Sequence, residues 1–221
     1  MTTPLLAADV VLGGASPPVR EIAAFASERG ARFLALGVED GDDETPQALC
    51  DGGRVAGLAK AWEEARRHHL GLLLRLMDTL SIAGLREALG VEKGTSPAKL
   101  RGTILVVVAD DRTGKRLRRE APEFPSALEL RPKGSHVRGL MRFVPPMGQR
   151  AAADAEDLIV PWSRADDPRI ASKWAPGLAR RGSRLWISDV PQADAERASR
   201  LPATGLVVRF AFGSGVVTMP R

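Results

Sequence analysis

The sequence predicts an α/β fold, a (β/α)8 TIM-type barrel of eight short parallel strands, on three observations. Short apolar runs alternate with longer amphipathic stretches along the whole chain. There are eight such runs, and most are apolar throughout, the pattern of strands covered on both faces. All eight fit within 221 residues, the length of one compact barrel. A doubly wound α/β sheet is the alternative that the same alternation allows. Residues 1–221 are read as a single domain.

The strands are expected at 9–12, 33–38, 72–76, 104–108, 127–130, 158–160, 185–188 and 206–210. Helices are expected between them. The stretch 17–29 places Ile22, Phe25 and Ala26 on one face and stops at Gly30. The stretch 55–69 does the same with Leu58, Trp62 and Ala65. Shorter helical stretches are expected at 82–89, 113–120, 168–181 and 192–200. The segment 133–153 carries Gly134, Gly139, Pro145, Pro146 and Gly148, so it reads as a long irregular loop after the fifth strand. In a barrel it stands on the face where active sites form, either as a lid or as a surface excursion.

Composition narrows the function classes. Hydrophobic residues make up 44% and charged residues 27%, enough for a large core and a solvated exterior, which excludes a disordered chain. Cys50 is the single cysteine, so no intramolecular disulfide forms and a reducing compartment is expected. His68, His69 and His136 lack zinc-like spacing. The N-terminal stretch MTTPLLAADVVLGG has no basic region before an apolar one, and no window approaches the roughly 18 apolar residues of a membrane span. A cytoplasmic location without a membrane span is expected. A net charge of +5 and a pI near 10.0 allow an anionic small molecule or a protein partner. Aromatics at 5% with no Tyr argue against nucleic acid. A basic helical stretch with Arg112, Lys115, Arg116, Arg118 and Arg119 is the feature a polyanion surface would use, and it also suits a solvated outer face.

Chemistry has to be located by position, because the common motifs are missing. There is no Walker loop, no G-x-G-x-x-G after the first strand and no G-x-S-x-G elbow. In a barrel, functional side chains follow the strand C-termini. That rule selects Gly13, Glu39, Asp40, Asp78, Asp110, Asp111, Arg131, Lys133, Trp162, Ser188, Asp189 and Arg209. The carboxylates of Asp78, Asp110 and Asp111 suit a divalent cation and, with a nearby Arg131 or Lys133, a phosphate-ester enzyme. Asp110 and Asp111 equally suit capping of the helix they precede. Arg131, Lys133, His136 and Arg138 fall in one loop region, which suits an anion. Asp78, Asp110, Asp111, Trp162, Trp186 and Arg209 are the candidate pocket residues.

Several segments resemble glycerophosphodiester phosphodiesterases. They are Val10-Val11-Leu12-Gly13-Gly14-Ala15-Ser16, then Ile22-Ala23-Ala24-Phe25, Gly30-Ala31 and Phe33-Leu34-Ala35-Leu36-Gly37-Val38. The stretch from Leu58 to Leu76, the run Gly182-Ser183-Arg184-Leu185-Trp186-Ile187-Ser188 and the run from Leu201 to Val208 extend the likeness over almost the whole chain. The resemblance implies the same barrel and a metal-dependent phosphodiesterase ancestry. It also shows what is missing. The family's H-R falls on Leu12-Gly13, its E-N-T on Val19-Arg20-Glu21, its metal-binding E-x-D on Ala35-Leu36-Gly37 and its E-I-K on Arg75-Leu76-Met77. The family's second His has no counterpart near Asp51. No catalytic residue, metal ligand or cofactor is therefore assigned. A non-catalytic binding or scaffolding role is expected, with Arg75 turned toward anions where the family has a metal-ligating Glu. A metal-dependent enzyme with a relocated site is the alternative.

Overall fold

The structure is a computed structural model that describes residues 3–12, 17–40, 46–50, 53–55, 57–77, 82, 84–129, 157–165 and 170–213. Ten strands occur in chain order: β1 Leu5–Val11, β2 Phe33–Asp40, β3 Pro46–Cys50, β4 Gly53–Val55, β5 Gly71–Leu76, β6 Ile104–Val108, β7 Ser126–Glu129, β8 Asp157–Pro161, β9 Arg184–Pro191 and β10 Gly205–Ala211. The helices are α1 Val19–Glu28, α2 Leu58–Arg67, α3 Leu85–Leu89, α4 Pro97–Leu100, α5 Asp111–Glu120, α6 Ala175–Arg180 and α7 Ala195–Ser199.

Eight strands close into a parallel barrel in the order β1-β2-β5-β6-β7-β8-β9-β10. Closure rests on β1, which pairs in parallel with both β10 (Ala7 opposite Val207) and β2 (Ala7 opposite Phe33). That double pairing rules out the doubly wound sheet. All eight expected strands are present, most of them longer than their apolar runs. One feature departs from expectation. Val55, expected to open the second helix, instead ends a short hairpin, β3–β4, for which no strand was expected and which adds to β2 antiparallel with Gly37 opposite Leu49. The hairpin thus sits beside the C-terminal half of β2.

The helices shield the outer face. On α1, Val19, Ile22, Ala23, Phe25 and Ala26 are buried, and the chain turns at Gly30 with φ +72°, where only glycine is unstrained. Residues 170–174 form one π-helical turn, Ile170–Trp174, that runs into α6.

Inside the ring lies a second, separate core of Ala7, Phe33, Ala35, Leu73, Leu105, Val107, Ala127, Ile159, Trp186 and Val207. Trp186 is fully buried and meets Phe33 edge-on at 5.6 Å between ring centroids. Its bulk is accommodated by Gly205 on β10, where any Cβ would overlap the indole ring. Trp186 therefore plugs the barrel and does not line an open pocket, correcting the expectation drawn from its place near a strand end. Below this plug, the buried Asp157 carboxylate accepts Arg101 at 2.8 Å, Arg184 Nε at 2.7 Å and the Arg184 backbone N–H at 2.8 Å.

On the periphery, buried Glu123 ties the connection before β7 to α3. It accepts Arg86 Nε at 3.1 Å and the Gly94 backbone N–H at 2.8 Å. Burial alone pushes the Glu123 carboxyl up, but the backbone N–H groups of Gly94 and Glu123 and the Arg86 guanidinium hold it below its ordinary value.

Two outcomes follow from this packing. Gly205→Ala should destabilise by about 1–3 kcal/mol in denaturant unfolding, because the added methyl must displace Trp186. A carboxyl with a lowered folded pKa adds stability above its unfolded pKa and loses it as pH falls through the folded value. Acid unfolding should therefore be shallower in Glu123→Gln than in the wild type below about pH 4.5, the ordinary carboxyl value, when midpoints are followed by circular dichroism.

Candidate functional site

Side chains two residues apart on a strand share a face. The residue two places past the last inner core residue of a strand therefore points into the C-terminal mouth of the barrel. From Ala7, Ala35, Leu73, Ala127, Trp186 and Val207, this step reaches Asp9, Gly37, Arg75, Glu129, Ser188 and Arg209. The layer above the apolar plug is thus mostly polar and charged.

Its geometry is a chain of ion pairs. Arg75 on β5 crosses β6 and donates to Glu129 Oε1 on β7 at 3.0 Å. The Arg75 side chain is 20% exposed and that of Glu129 is fully buried. Ser188 Oγ lies 3.4 Å from Glu129 Oε1 and 3.1 Å from Asp189 Oδ2. Asp189 adopts φ +55°, at an irregularity in the β9–β10 pairing between Leu206 and Val208. That left-handed turn brings Asp189 Oδ1 to 3.6 Å from the Arg209 guanidinium, whose Nε also donates to Asp9 Oδ2 at 3.2 Å. Arg209 is the most solvent-exposed member, at 43%. Three carboxylates and two guanidiniums thus run around the mouth in the order Arg75, Glu129, Asp189, Arg209 and Asp9, with Ser188 between the two neighbouring carboxylates.

The candidates taken from the sequence separate into groups. Arg75 and Arg209 do reach the mouth. Asp110 caps α5, accepting the Thr113 backbone N–H at 2.8 Å and the Thr113 hydroxyl at 3.1 Å. Both of its oxygens are engaged in the cap, and Asp111 opens the same helix. Trp162 packs against the outer core, donates from Nε1 to Asp194 at 3.1 Å and lies beneath the Arg197 guanidinium, so it braces the turn before α7. Asp78, Arg131, Lys133, His136 and Arg138 lie outside the described residues, as does the 133–153 loop. Asp9 and Glu129 were not singled out from the sequence. The signal that finds them is alternation beyond the apolar run: each stands two residues past an inward alanine.

The positions aligned with the family's metal-binding carboxylates all face inward. Ala35 belongs to the apolar plug. At Gly37, a Cβ would meet Leu49 Cβ at 3.4 Å and Met77 Sδ at 3.5 Å, so this side of the mouth is apolar. Met77 itself is 59% exposed. Among the described residues, no group of three or more His, Cys, Asp and Glu side chains is placed to hold a metal ion.

An Oleispira antarctica phosphodiesterase in complex with the product sn-glycerol-3-phosphate superposes with a TM-score of 0.65 at 13% identity, over 94% of this chain and 93% of that one. The Agrobacterium tumefaciens glycerophosphodiester phosphodiesterase gives 0.64 at 14% identity, over 94% and 96%. This barrel is structurally related to glycerophosphodiester phosphodiesterases. A barrel of another activity, the Pyrococcus furiosus N-(5'-phosphoribosyl)anthranilate isomerase, gives 0.50 at 12% identity, over 93% and 88%. No family model and no curated protein matches the sequence. At such identities the likeness to the phosphodiesterases concerns the fold, and function has to be argued from the mouth.

The Arg75–Glu129 pair makes one measurable claim. Arg75→Met, which takes the guanidinium away from a buried carboxylate, should cost on the order of 3 kcal/mol. Arg75→Met combined with Glu129→Met should recover most of that loss, because an apolar pair replaces an ionic one. A loss in the double variant equal to the sum of the Arg75→Met and Glu129→Met losses would show that the pair contributes no coupling.

Proposed function

We propose that this chain is a non-catalytic phosphodiesterase-like barrel that binds an anionic small molecule or protein partner at its C-terminal mouth. The observation that carries the reading is Arg75. Its guanidinium occupies the inward position where the resemblance calls for a metal-ligating Glu, and it pairs with Glu129.

Metal-assisted cleavage of a phosphodiester requires a cation held by carboxylates, to offset phosphate charge and polarise the reacting oxygen. Ala35 and Gly37 supply no ligand on β2. A fixed positive charge on β5 repels a cation entering the mouth. Arg209, half-exposed, is the guanidinium that an anion approaching from solvent meets first, within a mouth that holds three carboxylates to two guanidiniums. Arg131, Lys133, His136 and Arg138 follow β7 in the sequence and supply the basic excess that binding an anion requires. The relocated-site alternative loses support at Asp110, whose carboxylate is already engaged in the helix cap.

Two assays on the purified protein test this reading. No turnover of a glycerophosphodiester is expected with Mg2+, Ca2+ or Mn2+; turnover abolished by chelation would overturn it. In thermal melting, sn-glycerol 3-phosphate should raise the midpoint, adding about 2.7 kcal/mol at one hundred times its dissociation constant. Arg209→Ala should remove that response, while divalent metal alone should give none.

A further inference from the structure

The opposite, N-terminal end of the barrel carries a groove that the mouth does not explain. It encloses about 520 Å3 between the starts of β1, β2, β5 and β9 and the last turns of α2. Its apolar wall is Leu5, Phe33, Leu70 and Trp62, and its polar wall is Arg32, Arg66, His69 and Arg184.

The charge on this wall is one-sided. No carboxylate lines the groove among the described residues. Arg184 shares Asp157 with Arg101, so a single carboxylate faces two guanidiniums beneath the barrel plug. The Arg184 Nη2 nitrogen is buried without a hydrogen-bond partner. The side chains of Arg32 and His69 make no hydrogen bond or ion pair among the described residues. Arg66 contacts only the Trp62 ring, at 5.8 Å from its centroid. Several other arginines are paired, Arg67 with Glu63 and Glu64, Arg116 with Glu120 and Arg86 with Glu123. Stability accounts for Asp157 and its two arginines, but not for Arg32, Arg66 and His69. All three line the groove, from the turn before β2, the last turn of α2 and the turn before β5, an arrangement that suits an anion.

From this geometry we infer a second binding site at the N-terminal end, built for an organic phosphate of nucleotide size. The phosphate sits among Arg32, Arg66 and His69, within reach of Arg184. A flat apolar portion lies on Trp62, Phe33 and Leu5. A cavity of this volume belongs to the range that small organic ligands fill and exceeds what inorganic phosphate needs. The three guanidiniums draw the ligand in, His69 adds a hydrogen-bonding ring nitrogen, and the apolar wall adds contact area that a bare anion cannot use.

Adenosine monophosphate and inorganic phosphate are the probes, titrated by calorimetry into the full chain. Saturable binding of the nucleotide, at least tenfold tighter than inorganic phosphate, is expected. Combining Arg32→Gln with Arg66→Gln should weaken nucleotide binding at least tenfold with an unchanged melting temperature, since both side chains are exposed and outside every ion pair. Gly102→Phe, at a position where a Cβ meets nothing within 4 Å, should block the groove without disturbing the core. Arg209→Ala, at the other end of the barrel, should leave this binding intact, which separates this site from the one proposed at the mouth. Absence of saturable nucleotide binding, equal affinity for phosphate and nucleotide, or wild-type binding by the Arg32/Arg66 variant would each overturn the assignment. Binding lost in Arg209→Ala would place the nucleotide at the mouth and overturn it as well.

Discussion

Closing eight strands into a ring creates an interior that side chains must fill, and the way Trp186 fills this one sets the character of both ends. The indole takes up space that neighbouring strands give back through small residues: Gly205 opposite it, and Ala7, Ala35 and Ala127 elsewhere in the inner core. Interiors pack like organic crystals, so a large residue on one strand demands a small one across from it. The result is a dry plug that separates two polar layers.

The upper layer shows what such a change looks like in electrostatic terms. Carboxylates remain at the mouth, but guanidiniums are set beside them. Glu129 is buried and would be costly to keep ionised alone, and Arg75 and Ser188 both reach it. Asp9 and Asp189 flank Arg209. Each of the three carboxylates is held against a fixed positive group. Such a network selects for one geometry.

How much of this was legible in the sequence depends on whether each feature is local. The strands were legible because covered strands are continuous apolar runs, and Ile104–Val108 and Leu158 to Val160 can hardly be read otherwise. The cap at Asp110 was legible as one of two readings because its partner, Thr113, is three residues away. The hairpin β3–β4 was not, because PQALC and GRV contain no apolar run and become strands only by pairing along β2. Asp9 and Glu129 were missed for the same reason: their arginine partners are 200 and 54 residues distant. Trp186 was misplaced because the apolar run ends at Ser188 while β9 continues to Pro191, which sets the indole deeper than a count from the run's end implies.

The two ends of the barrel also differ in how their charges are balanced. At the mouth, three carboxylates face two guanidiniums and each guanidinium is engaged. At the N-terminal end, Asp157 faces two guanidiniums, and Arg32 and Arg66 add to them with no carboxylate opposite. In barrels of this kind the N-terminal end ordinarily serves stability and the C-terminal end chemistry. A stability role calls for charges that cancel, as they do around Glu123 and Arg86. Arg32 and Arg66 are exposed and face no carboxylate in the groove among the described residues, so they contribute no such cancellation. The cancellation missing from the protein must then come from solvent ions or from a ligand. A recess with Trp62 and Phe33 in its walls favours a ligand that brings both a negative charge and a flat apolar surface.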